Sequence, residues 1–439
     1  MASSTVLSLK QRVLHSGSWA LFGHVASQAL RFGGNLVLTR LLFPEAFGLM
    51  TLVTALMVGA AMLTDIGITP GVVRAERGED PDFLHTAWLL QIGHGVLVAL
   101  AMCALAWPMA AHFGQPELRG LVFGAALVPL VSGFTSIKLA LALRKVQSKP
   151  LVVLDVGVHF VGLLLTVVLA WSQASVWALV WGQVLSALVR MIVSHLLLGR
   201  LRARLFIDRD AVRSILHFGG WVTLSSAMTF ASGEGSKLVS GSMLSLKTLG
   251  LLGLATGLAG LMLQAIHSVV NRSLFPAYAE VYRSGDMDRF ARTVQRARLA
   301  QVAVGGVFSA LLVLLGPWLI DLLYDDRYSA AGPMLQILAL GQGVGLLLAS
   351  YAGVLWAMSK VALSAVMLGI QTLITWVCMG VGAALSGEIG VIWGMAAASL
   401  VTYPVHAVIY RRFGLLSLKI DLPVLAVAAL LHVLLLRTH

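Results

Sequence analysis

Long apolar segments, separated by short charged or Pro- and Gly-containing breaks, dominate the chain. About 20 apolar residues suffice for a helix to cross a bilayer, and such breaks mark where one helix ends. Twelve segments are predicted, near 14–42, 48–72, 86–112, 118–143, 150–170, 176–198, 217–241, 249–274, 297–323, 332–357, 361–385 and 389–410. A thirteenth, at 422–436, is shorter than a usual span. The pattern predicts an all-α polytopic membrane protein.

The composition agrees with this class and excludes others. Of the 439 residues, 58% are hydrophobic and 11% charged, whereas soluble domains contain about 25% charged residues. The net charge of +12 does not indicate a nucleic-acid partner, because no polar basic domain accompanies it. Cys103 and Cys378 lie in apolar runs, and no HxxxH or HExxH spacing occurs, so we expect neither a metal site nor a cofactor.

The distribution of Lys and Arg predicts the orientation. Alternate loops, including 199–216 and 272–298, hold 22 basic residues, and the opposite loops hold four. Because cytoplasmic loops carry the excess, the N-terminus is predicted to be cytoplasmic. The two large loops resemble amphipathic surface helices on anionic membrane lipids. The outer loops are too short for a catalytic domain and no GxxxxGK[ST] loop occurs, so an enzyme is not expected.

An internal repeat relates the two halves of the chain. Shifting the sequence by 202 positions aligns 15–58 with 217–260, with 13 identities in 44 positions. Either two apolar segments are similar by chance, or the chain contains two six-helix lobes. Two such lobes are related by an axis along the membrane normal, and transporters often place the substrate path between them. The predicted parts are the first lobe 1–198, a linker 199–216, the second lobe 217–410 and a tail 411–439.

Polar residues follow one face of the first predicted span. Arg31 lies about sixteen residues from the inner end, near mid-bilayer at about 1.5 Å per residue. A charge at that depth normally faces a wet cavity or a partner. The residues that share its face at three- and four-residue steps are His24, Ser27, Gln28 and Asn35. This face either lines a cavity or makes ordinary hydrogen bonds between helices.

The seventh span carries a corresponding polar face with Ser226, Thr229, Gly233 and Lys237. Under the 202-residue shift, Ser226 matches His24 and Lys237 matches Asn35. Lys237 follows Glu234 by three residues, so a local ion pair is an alternative to a cavity role.

Other charged residues are candidates for binding or ion coupling. We expect Arg190 in the sixth span to pair with Asp155 in the antiparallel fifth span. Asp65 in the second span either titrates during transport or pairs with a basic residue near the inner face. Arg272, at the start of the second large cytoplasmic loop, is a further candidate for an anionic substrate.

The chain resembles the bacterial oligosaccharide flippases, the polysaccharide transporter branch of the multidrug/oligosaccharidyl-lipid/polysaccharide exporter superfamily. The segments that carry the resemblance are LTRLLFPEAFGLMTL (38–52), LTDIGITPGVVR (63–74), HFGQPELRGLV (112–122), ASVWALVWGQVLSALVR (174–190), NRSLFPAYAEVYR (271–283) and DRYSAAGPMLQILAL (326–340). Their order and spacing together are more specific than any one of them.

The resemblance implies a cationic central cavity that opens alternately to each side of the bacterial inner membrane. Its cargo would be an oligosaccharide linked to polyprenyl diphosphate, destined for an O-antigen or exopolysaccharide. Arginine can bind a diphosphate through paired hydrogen bonds, and the uncharged residues of the two polar faces can hydrogen-bond sugar hydroxyls. A polysaccharide polymerase and a chain-length regulator are further candidate partners. The alternative is a drug/cation antiporter of the same superfamily, although Arg31 and the absence of an acid in the first span favour an anionic cargo.

The predicted orientation can be tested by thiol labelling. In a background without Cys103 and Cys378, Ser214→Cys and Ser284→Cys should resist a membrane-impermeant thiol reagent in intact cells. Ser175→Cys, in a predicted outer loop, should react with it and serves as the control. Rapid labelling of the first two variants from outside would reverse the orientation.

Overall fold

The computed structural model describes residues 9–145, 147–198, 207–270, 274–351 and 353–438, and no strand occurs within these ranges. The helices are α1 Leu9–Leu41, α2 Pro44–Leu63, α3 Ile68–Arg74, α4 Pro81–His112, α5 Pro116–Ala125, α6 Leu127–Gly133, α7 Lys138–Arg144, α8 Ser148–Gln173, α9 Trp177–Leu198, α10 Arg209–Phe230, α11 Ser236–Gly241, α12 Leu246–Val269, α13 Phe275–Arg283, α14 Met287–Leu323, α15 Ala331–Ala349, α16 Val354–Ala357, α17 Val361–Arg412 and α18 Leu418–Thr438. A π-helical turn, Ala231–Gly235, precedes α11, and a 3-10 turn, Asp326–Tyr328, precedes α15.

The all-α polytopic class predicted from the sequence is confirmed. Each predicted apolar segment contains helix within the described residues, although the segments 48–72, 118–143 and 332–357 are interrupted. Within the described ranges, seven helices are long and apolar enough to cross a membrane, and an eighth results if α5–α6 and α7, bent by 59°, form one span. This count takes α17, which contains two predicted segments, as one helix, and it covers the described residues only. The last helix, α18, has 21 residues and extends beyond the predicted segment 422–436.

The chain forms two compact units, Met1–Phe230 and Ala231–His439. The division falls within the seventh predicted span, so α10 belongs to the first unit. Residues 199–206 of the predicted linker lie outside the described ranges, and α10 already begins at Arg209. The two-lobe symmetry and its boundaries at 198 and 217 therefore stay predictions.

In the first unit, the second predicted span is interrupted between α2 and α3. Gly67 has a φ of 67°, a left-handed conformation that glycine adopts without strain. The carboxylate of Asp65 accepts a hydrogen bond from the Gly67 N–H at 2.8 Å, which closes the break. Because the hydrocarbon core offers no water, such side-chain bonds are what permit an interrupted helix at membrane depth.

The fourth predicted span is also interrupted, between α6 and α7, and α4 satisfies the freed backbone groups. Gln91 Nε2 donates to the carbonyl oxygens of Gly133 at 3.0 Å and Thr135 at 2.8 Å. The indole of Trp88 donates to the same Thr135 oxygen at 3.2 Å. Gly95 allows this approach, because a Cβ there would lie 2.5 Å from the Pro129 oxygen. The break is therefore a packed feature of the first unit.

In the second unit, α15 is the most buried helix and packs against α12, α14, α17 and α18. Helix α17 is a hairpin of two helices, because Gly387 reverses the chain with a φ of 62°. The two arms touch through glycine: a Cβ on Gly382 would lie 2.0 Å from the oxygen of Gly390. The predicted separation of the segments 361–385 and 389–410 is confirmed by this turn.

A buried ion pair attaches α18 to the second unit. Arg298 Nη2 lies 2.7 Å from Asp421 Oδ1, and both side chains are fully buried. Arg298 also donates to Ser350 Oγ at 2.9 Å and stacks over the Tyr351 ring at 3.6 Å. Tyr403 donates to the second carboxylate oxygen at 2.8 Å. Charges this deeply buried are tolerated only when paired and hydrogen-bonded.

Removal of one charge from this pair should destabilise the protein. Asp421→Asn leaves the Arg298 guanidinium buried without its counter-charge, which costs about 3–5 kcal/mol. We expect a lower unfolding temperature in detergent and a lower amount in membranes. The double variant Arg298→Met/Asp421→Leu should recover most of the loss.

The matched control removes an exposed ion pair. Glu79 lies 2.9 Å from Lys145, and the Lys145 ammonium holds the pKa of the Glu79 carboxyl below its usual value. Because such pairs contribute little to stability, Glu79→Gln should leave the unfolding temperature almost unchanged. An Asp421→Asn protein as stable as the wild type would contradict the structural role of the pair.

Candidate functional site

The polar face predicted for the first span lies on α1 of the first unit and is not part of its core. His24 and Arg31 are exposed, and Ser27, Gln28 and Asn35 are partly exposed. Among the residues that the structure describes, Arg31 makes no hydrogen bond or ion pair. Its guanidinium is thus available to a ligand.

Two buried glycines of α1, next to this polar face, bring the helix close to α8. A Cβ on Gly23 would lie 2.7 Å from Val152 Cγ1, and a Cβ on Gly34 would lie 2.5 Å from Leu163 Cδ1. Both glycines therefore allow closer helix packing than a larger residue would permit. Arg31 lies between Gly23 and Gly34 along α1. These two contacts therefore fix the level of α8 beside which the backbone of Arg31 lies.

Arg31 belongs to a charged cluster that spans α1, α8 and α9. Arg31 and Asp155 both act electrostatically on the imidazole of His159, on α8. The ion pair expected between Asp155 and Arg190 is present, with 2.8 Å between Oδ1 and Nη1. Since Asp155 is engaged by Arg190, the cluster retains one positive charge, that of Arg31. Both members of the pair are about half exposed, so the cluster is open to water or to a ligand.

A second polar cluster surrounds the break after α2. Asp65 has no basic partner among the described residues; its carboxylate lies 3.4 Å from Ser226 Oγ on α10. Thr223 donates to the Asp65 backbone oxygen. Thr64 Oγ1 lies 3.0 Å from His94 Nε2 on α4. The structure thus brings together Asp65 of the second predicted span and Ser226 of the seventh, and it does not bring Asp65 to Arg31.

The remaining predicted residues lie elsewhere. Lys237 and Glu234 form the local ion pair anticipated from their spacing, at 2.7 Å, where the π-helical turn meets α11. Thr229, on α10, donates to the Ser225 oxygen at 3.0 Å. Arg272 lies outside the described residues. The roles of all these residues in binding or ion coupling stay predictions.

Sequence reasoning missed two histidines of these clusters. His159 follows Asp155 by four residues and therefore shares its helix face, a spacing that could have identified it. His94 carries no such signal, because its contact with Thr64 depends on the break in the second span. Nothing in the sequence around Thr64 predicts which side chain of α4 meets it.

Comparisons with known proteins place the chain in a family. The sequence profile described as "Polysaccharide biosynthesis protein" matches residues 37–333. The lipopolysaccharide biosynthesis protein WzxC of Escherichia coli is 25% identical over 78% of this chain and 68% of its own length. The succinoglycan biosynthesis transport protein ExoT of Rhizobium meliloti is 23% identical over 76% and 66%. The chain therefore spans about two thirds of the length of these relatives.

Two solved structures share the fold. An inward-facing multidrug resistance MATE family transporter of the MOP superfamily superposes with a TM-score of 0.71, at 15% identity, over 88% of this chain and 94% of its own. The lipid II flippase MurJ, in an inward closed conformation, gives a TM-score of 0.65, at 12% identity, over 96% and 92%. With its sequence profile matched over most of its length and its MATE- and MurJ-like fold, the chain belongs to the polysaccharide biosynthesis protein family, as the resemblance seen in the sequence implied.

Proposed function

We propose that this multi-pass membrane protein is a flippase for oligosaccharides linked to polyprenyl diphosphate. It moves them from the cytoplasmic to the outer face of the inner membrane by alternating access. The diphosphate binds at Arg31, and the polyprenyl tail remains in the lipid. The relatives named for lipopolysaccharide biosynthesis and succinoglycan transport support a cargo of this kind.

The uncompensated positive charge of Arg31 is the observation that carries this proposal. A cation at the depth predicted for Arg31 costs at least about 2.5–3.5 kcal/mol, so it is retained where a partner or water compensates it. Asp155, the nearby acid, is engaged by Arg190 at 2.8 Å. An anionic ligand would provide the missing counter-charge, and a guanidinium can bind phosphate oxygens through two parallel hydrogen bonds.

A drug/cation antiporter is the second candidate, because a MATE transporter has the same fold. A cationic cargo requires a free carboxylate. Of the three candidate acids, Asp155 pairs with Arg190 and Glu234 with Lys237, and Asp65 lacks a basic partner among the described residues. Arg31 adds an uncompensated positive charge to the same unit as Asp65. This arrangement favours an anionic cargo over a cationic one.

Substitutions at Arg31 test the assignment of the site. Arg31→Ala and Arg31→Glu should abolish polymer output while the protein still accumulates in the membrane. Arg31→Lys should retain part of it, because the charge remains but the two-pronged hydrogen bonding is lost. Polymer output and membrane abundance are measured on the same cells.

The control for this series is Arg292→Glu, on the exposed surface of α14. It makes the same change of charge away from the Arg31 cluster and should leave output near the wild-type level. If Arg31→Glu is as abundant and as productive as Arg292→Glu, Arg31 does not bind the cargo.

Deletion of the protein tests the function itself. The deletion strain should stop making its surface or secreted polysaccharide while lipid-linked repeat units accumulate on the cytoplasmic side. Extracted lipid-linked oligosaccharide and finished polymer are quantified, with the complemented strain as control. Normal polymer output in a deletion strain that has no related transporter would contradict the flippase assignment.

A further inference from the structure

The second unit contains a pocket of about 530 Å³ enclosed by its own helices α12, α15, α16 and α17. That volume lies within the range of small-molecule sites in proteins. Exposed side chains at its edge are His267 and Trp356, and the indole of Trp356 donates to Ser364 Oγ at 3.2 Å. The pocket is thus open at one side and built from residues of a single unit.

Two buried polar atoms in this pocket lack a well-formed hydrogen bond among the described residues. Gln342 Oε1, on α15, has none, and His406 Nδ1, on α17, makes no well-formed hydrogen bond, although the backbone of Thr402 one turn earlier is close enough to act on the imidazole. His406 is only 7% exposed. A buried polar group without a hydrogen bond is destabilising, so the two atoms point to a ligand or to ordered water.

The lining also restricts the kind of ligand. No Asp, Glu, Lys or Arg occurs among the described residues that line the pocket. A cation would find no carboxylate there, and a diphosphate would find neither arginine nor lysine. The polar groups are instead amides and hydroxyls, including Gln371, Thr375 and Ser399, and the indole ring of Trp356 adds an exposed apolar surface. This combination suits a neutral molecule with several hydroxyl groups and an apolar face.

We propose that this pocket binds a neutral sugar residue of the transported oligosaccharide. The inference rests on the proposed function, and it assigns sugar recognition to the second unit and diphosphate recognition to Arg31 of the first. Gln342 and His406 hydrogen-bond sugar hydroxyls, and the exposed ring of Trp356 contacts the C–H face of the sugar. A pocket of this kind would select sugars by their hydroxyl pattern, since a missing hydroxyl leaves the buried amide unpaired.

The test measures binding of two probes to the purified full-length protein by calorimetry. One is the repeat-unit oligosaccharide released by mild acid from the lipid-linked intermediates of the producing strain, and the other is inorganic pyrophosphate. Gln342→Leu should weaken oligosaccharide affinity about tenfold or more, because a hydrogen-bonding amide is lost, and leave pyrophosphate affinity unchanged. Arg31→Ala should show the opposite pattern.

A second variant fills the pocket without removing a polar group. A Cβ on Gly345 would meet Ser399 Oγ at 3.5 Å, an ordinary contact, so Gly345→Leu is compatible with the helix and places its side chain towards the pocket. It should weaken oligosaccharide binding as well. The control matched to Gln342→Leu is Gln336→Leu, the same substitution in the same helix. Gln336 does not line the pocket, and its side chain donates to the Val313 oxygen at 2.6 Å.

The outcomes separate the pocket from the proposed function. Wild-type oligosaccharide affinity in both Gln342→Leu and Gly345→Leu, or no oligosaccharide binding by the wild type, would overturn the pocket assignment. If the wild type also binds no pyrophosphate and transports no lipid-linked oligosaccharide, the flippase proposal itself fails. Loss of oligosaccharide binding in Gln336→Leu as well would also count against the pocket, because the effect would then not be specific to its lining.

Discussion

The low polarity of the bilayer interior is the constraint on which this structure depends. Every backbone group and charge within it needs a partner, because water is not available to provide one. The breaks after α2 and α6 obey this rule, since Asp65 caps one and Gln91 with Trp88 satisfies the carbonyls freed at the other. In the second unit, the interior of the protein imposes the same requirement on the fully buried pair Arg298–Asp421.

Arg31 is the exception that gives the first unit its chemistry. The other basic residues singled out within spans are paired locally, Arg190 with Asp155 and Lys237 with Glu234. Arg31 instead is exposed and forms no ion pair among the described residues. It acts electrostatically on the imidazole of His159. The backbone of Arg31 lies between two glycines that pack closely against α8, and its exposed guanidinium is open to an anionic ligand. The pocket in the second unit has the complementary character, because its described lining residues provide hydrogen-bonding groups and no Asp, Glu, Lys or Arg.

The sequence predicted the class of fold and part of the site. Apolar length located the long helices but not α13, which lies in a predicted loop, and three- or four-residue spacing identified the polar face of α1 and the Glu234–Lys237 pair. It could not predict where spans break, because the break after α2 depends on one glycine and on contacts from α4 and α10. For the same reason it missed His94 and the pocket at Gln342 and His406, whose neighbours come from distant parts of the chain. It also did not anticipate that α10 would belong to the first compact unit.

Transport by the purified protein is the most direct test of the account. The protein is reconstituted into vesicles that contain the producing strain's lipid-linked oligosaccharide, and a membrane-impermeant glycosidase is added outside. The account predicts that oligosaccharide from the inner leaflet becomes accessible over time with the wild type and not with Arg31→Glu. Accessibility that increases no faster with folded wild-type protein than in protein-free vesicles would contradict it.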